Sequence, residues 1–226
     1  MTTKTAASRF LMQATLGAND DILNDVQSQG IEAWLDEQLN NQWQEADSFY
    51  QKTSSIWRGK NGDTGFRQLL KNHYGESNIN GQGNNPALPY KYYFRMAWWH
   101  RTLVHGNPKA VSTANDDITE TEKISTLEAC NDNLLRHRIA QALSEILVIS
   151  DNSILELNAE AIADYYDLLY KHAFGSYQEL LEDVSLHPCM GVYLTHINNR
   201  KADPNNNIHP DENYARELLQ LFSIGL

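Results

Sequence analysis

Apolar residues recur at helical spacing along almost the whole chain. Between residues 134 and 149, Leu135, Ile139, Ala142, Leu143, Ile146 and Ile149 fall on one stripe. No stretch alternates apolar and polar residues as a half-buried strand does, and no Asn-Gly turn separates two strand-like runs. The spacing therefore predicts an all-α protein, an irregular multi-helix bundle with long Gly/Asn-rich loops.

Capping residues set the expected boundaries. A helix over 6–16 ends at Gly17. Asn19 and Asp20 open a second that runs to Gln29 and stops at Gly30. Further helices are expected over 31–39 and 47–57. Residues 90–105, YKYYFRMAWWHRTLVH, carry aromatics all round the cylinder, which predicts a central position. Asp132 or Asn133 can cap the 134–149 helix. Another follows over 158–173. Ser176 opens the next, with Glu179 completing a capping box. Pro188 ends that helix, a short successor covers 189–196, and a terminal helix spans 211–224. Two stretches rich in Gly and Asn, 58–65 and 73–89, read as loops, the second as a long functional one.

The 226 residues can bury a sizeable core and show no internal repeat and no linker, so residues 1–226 are expected as a single helical domain. Net charge is −11, which argues against a nucleic-acid partner or an anionic membrane, although Arg136-His137-Arg138 is a local basic run. No apolar run reaches the roughly 20 residues of a membrane span. MTTKTAASRFLMQATLG does not form a secretory signal. Cys130 and Cys189 are expected as buried free thiols, with one disulfide as the alternative.

The terminal segment HPDENYARELLQLFSIGL holds the leading candidate site. On an ideal helix with Glu212 at zero, Arg216, Gln220, Asn213 and Glu217 follow at about 40°, 80°, 100° and 140°. They make one polar stripe. It can be a network locked against Arg136 or Arg138, an acid–base or metal site built on Glu212, Asn213, Arg216 and Glu217, or a solvated face.

Metal signals are weaker. Asp203, Asn205, Asn207, His209 and Asp211 alternate in the loop before that helix. The pattern departs from a calcium EF-hand, with Ile208 and Tyr214 where Gly and Glu are required. Such loops usually hydrogen-bond to their own backbone. His187, Cys189, His196 and His209 match no standard zinc spacing, and His100 and His105 stand too far round a helix to share an ion. His187, Asp203, His209 and Asp211 are therefore the weak metal candidates. Ser144 and Ser185 lack the G-x-S-x-G context. The aromatic helix could offer stacking surfaces to a sugar, but core packing is its expected role.

AASRFLMQATLGA, LRHRIAQALSEILVIS, YYDLLYKHAFGSYQELLEDVSLHPCMGVYLTHINNRKADP and PDENYARELLQLFSIGL occur in this order. Together they resemble the bacterial family catalogued as domain of unknown function 1800. The resemblance implies a helical, exported protein, periplasmic or secreted, often encoded beside a sulfatase-like protein. It also implies that this chain is the N-terminal part of a longer one. No reaction is implied. Two functions of different class follow. The favoured one is a scaffold or partner-binding module whose polar clamp is formed by the terminal helix. The other is a hydrolytic enzyme acting on an extracellular polymer or glycan, with its acidic site on that helix and His187 as a further participant.

Overall fold

The computed structural model describes residues 2–44, 48–59, 65, 89–104 and 133–225. Among them are ten α-helices and no strand. In chain order these are α1 (Lys4–Ala14), α2 (Asp20–Gln29), α3 (Ile31–Asn40), α4 (Phe49–Arg58) and α5 (Tyr92–Val104). They continue as α6 (Leu134–Ile146), α7 (Ala159–Lys171), α8 (Tyr177–Leu186), α9 (Pro188–Tyr193) and α10 (Asn213–Gln220). Short 3-10 turns lie at Ser153–Leu157 and Pro204–Asn206. Most of both Gly/Asn-rich loops, the connection after α5 and Cys130 lie outside the described residues.

Caps place most helix ends where the sequence expects them. Asn19 accepts from Ile22 N at 3.0 Å. Gly30, at φ 93°, closes α2 with a 3.0 Å bond to Val26 O and opens α3 in the same residue. Asn133 accepts from Arg136 N at 2.8 Å and donates to Gln38 O at 2.5 Å, so one side chain both starts α6 and ties it to α3. The capping box at α8 is absent, because Ser176 makes no side-chain cap bond.

The central helix is α7, not the aromatic α5. Ala159, Ile162, Ala163, Tyr165, Tyr166, Leu169 and Tyr170 are all buried, on nearly every side of α7. Its alanines let α4, α5 and α6 approach, and its tyrosines fill the space between them. Each hydroxyl finds a partner: Tyr165 donates to Leu147 O at 2.7 Å, Tyr166 meets His137 Nδ1 at 3.2 Å, and Tyr170 donates to Asn133 O at 3.4 Å. On α5, Tyr93 and Ala97 are buried while Tyr92, Met96 and Trp99 are exposed.

The stripe on α6 is rotated as well. Its buried face holds Leu134, Arg136, His137 and Ala140, whereas Ala142 and Ile146 face solvent. His137 stacks on Phe49 with ring centroids 5.4 Å apart, and that contact fixes the rotation of α6 on its neighbours. A second, smaller core joins α1, α2 and α3 through Leu11, Val26 and Trp34, with Phe10 edge-on to Trp34 at 5.4 Å.

Candidate functional site

The terminal helix splits its polar stripe in two. Glu212 and Arg216 pair with each other in solvent. Asn213 and Glu217 turn inward beside Tyr214 and Leu218, and Glu217 Oε2 is buried with no hydrogen-bond partner among the described residues. Asp211, not Glu212, caps the helix: its Oδ1 accepts from Asn213 N at 2.9 Å and its Oδ2 from Thr195 Oγ1 at 2.5 Å. These bonds, Thr195's first, hold the Asp211 carboxyl below the usual range. Apolar side chains that a buried helix would hide are instead open, with Leu221 68% and Ile224 75% exposed.

The expected clamp to Arg136 or Arg138 does not form. Arg136 serves other partners. It donates to the carbonyls of Tyr170 (3.2 Å) and Lys171 (3.1 Å) at the end of α7, and to Asn41 O (2.9 Å) just past α3. Helix C-termini leave carbonyls without partners, and a guanidinium fits several at once. Arg138 donates along its own helix to Gln141 Oε1 at 2.7 Å.

The four metal candidates are not brought together. Asp203 accepts from Asn205 N at 3.0 Å and Asn206 Nδ2 at 2.6 Å, and bridges to Ile208, so the Asx-rich loop closes on itself. His209 Nε2 meets Asn207 Oδ1 at 3.2 Å. His187 caps α9 by accepting from Cys189 N on Nδ1 at 3.2 Å. That assigns the proton to Nε2, which donates to Asp164 Oδ2 at 3.2 Å. Both ring nitrogens are engaged, so His187 offers no lone pair to a metal or to a proton in transfer. Among the described residues no group of three or more His, Cys, Asp or Glu has metal-holding geometry. Cys189 is a buried free thiol.

Two cavities that sequence reading missed lie on either side of α7. A polar one, about 410 Å³, is lined in part by Asp164, Asp167, Lys171, His172, Asp183 and His187. His172 Nε2 meets Asp183 Oδ2 at 2.7 Å. Asp167 accepts from Ser48 Oγ at 2.5 Å, Phe49 N at 2.6 Å and Tyr50 N at 2.9 Å, and thereby caps α4 from outside its own sequence. Burial pushes its carboxyl up to about 6 despite these bonds. Asp164, Asp167 and Lys171 recur at helical spacing, the one signal that could have marked this face in advance.

The other cavity, about 520 Å³, is aromatic and lies between α5, α6 and α7. Trp98 and Trp99 meet edge to face at 5.0 Å and 86°. At its rim Arg95 Nε donates to Asp151 Oδ2 at 2.7 Å. Neither cavity is lined by a residue of α10.

The model of the family described as "Protein of unknown function (DUF1800)" matches residues 9–226. The chain belongs to this family. No curated protein and no solved structure matches it. Among the described residues no helix is long and apolar enough to cross a membrane.

Proposed function

We propose that this member of the family is a partner-binding helical module that meets another protein through the surface of α10. The observation that carries this reading is the open apolar edge of α10 and of the turn after it, where Leu219, Leu221 and Ile224 are all exposed. A partner that covers these side chains would also close over the half-buried Glu217, whose Oε2 has no hydrogen-bond partner among the described residues, and would set a basic side chain beside its carboxylate. The net charge of −11 favours a partner with a basic face. The family resemblance suggests a sulfatase-like secreted protein, with the encounter in the periplasm or outside the cell. The polar clamp is then completed between two chains rather than within one.

The hydrolase reading requires Glu212, Asn213, Arg216 and Glu217 to converge on one substrate. Glu212 and Arg216 instead neutralise each other in solvent, apart from Asn213 and Glu217, and this division favours binding.

Calorimetric titration against the sulfatase-like protein tests the proposal. Glu217→Gln and Leu221→Asp are each expected to weaken association by about tenfold or more. The melting temperature of the free Glu217→Gln variant should stay within about 2 °C of the parent. Unchanged affinity in both variants would sink the proposal, and so would a steep loss of stability on Glu217→Gln alone.

A further inference from the structure

The aromatic cavity has a chemistry of its own, independent of α10. Arg95, Trp98 and Trp99 project from α5 at positions i, i+3 and i+4, so one helix face presents them together. Trp98 is half-buried and in contact with the core, whereas Trp99 is 54% exposed. An indole gains most from being covered, and one left open on the wall of a 520 Å³ cavity is a surface waiting for a flat apolar face.

The edges of the cavity are polar and have hydrogen-bonding capacity left. Asp151 Oδ2 accepts from Arg95, and its other oxygen has no partner among the described residues. Ser150 Oγ accepts from Asn152 N at 3.2 Å and keeps its proton to donate. Tyr193, at the end of α9, has no partner for its hydroxyl among the described residues. Donors and acceptors thus stand side by side. The Arg95–Asp151 pair cancels its own charge, so the cavity selects for no ion.

A ligand that fits must be apolar on its faces, must both donate and accept round its edge, and must be neutral. A lipid chain lacks the edge chemistry. An acidic sugar or a nucleotide would meet a chain of net charge −11, and the cation among the described lining residues, Arg95, is already paired with Asp151. We infer that this cavity binds a pyranose ring of a neutral glycan, its C–H face stacked on Trp99 and its vicinal hydroxyls shared between Asp151, Ser150 and Tyr193.

Intrinsic tryptophan fluorescence of the full chain, titrated with cellohexaose, xylohexaose, mannohexaose and chitohexaose, tests the inference, with hexagalacturonate as the charged control. At least one neutral oligosaccharide should perturb the emission saturably, and hexagalacturonate should not. Trp99→Ala should weaken binding by about tenfold and Asp151→Asn by a similar factor. Tyr92→Ala, on the same helix but off the cavity, should leave affinity unchanged. Three results would overturn the inference: no binding of any neutral oligosaccharide up to about 10 mM, a weak limit for a useful site; full affinity retained in both Trp99→Ala and Asp151→Asn; or a Trp99-dependent preference for a tryptophan-containing peptide over every sugar.

Discussion

Asp167 shows how one residue joins distant parts of this chain. It sits on the central helix, yet its carboxylate takes the Ser48 hydroxyl and the first two N–H groups of α4. Those N–H groups would otherwise lack partners at a helix start. Asp167→Ala should therefore destabilise the fold by about 2 kcal/mol, read from chemical denaturation. The pH dependence has a definite sign. Burial raises the folded-state pKa to about 6, above the unfolded value of about 3.9. The folded state then holds this proton more tightly. Stability from this group is complete below about pH 4 and is lost as pH rises towards 6. Asp167→Asn cannot titrate. The stability of the parent relative to this variant should be greater near pH 4.5 than near pH 7.5. A gap that widens instead with rising pH would contradict the assignment of burial as the dominant cause.

At the scale of elements, α7 organises its neighbours and Arg136 seals its end. Removing Arg136 takes the donor from the carbonyls of Tyr170, Lys171 and Asn41, of which the Tyr170 bond is buried. Arg136→Met should cost about 3 kcal/mol, and Arg136→Lys should recover little, because an ammonium cannot span those acceptors. Helix positions were legible in the sequence because caps are local: Asn19, Gly30 and Asn133 act within a few residues of themselves. Helix rotations were not. The aromatics of α5 and the stripe of α6 are each compatible with several facings, and contacts from elsewhere, such as Phe49 on His137, decide between them. The stripe on α10 was legible as a stripe, but its division between solvent and interior depends on Tyr214 packing against His196, with centroids 4.2 Å apart. The polar cavity stayed hidden for the same reason. Asp164 and His187 are 23 residues apart, and His172 and Asp183 are 11 apart, so neither pair forms a local motif.

At the scale of the whole molecule, α10 is the one α-helix among the described residues with no buried side chain. None of its residues is fully buried, although Phe222, just beyond it, anchors the chain through a 2.7 Å bond from Tyr177 OH to its carbonyl. A helix held at its two ends, by Asp211 with Thr195 and by Phe222 with Tyr177, and open along one side is suited to being completed by a partner, and its amides should exchange quickly while it is alone. Hydrogen exchange over residues 213–224, with and without the sulfatase-like protein, is the most direct measurement of that claim. Marked protection of this segment on mixing, lost in Glu217→Gln, is the expected result. A complex that protects other parts of the chain and leaves 213–224 exchanging as before, or no complex at all, would contradict it.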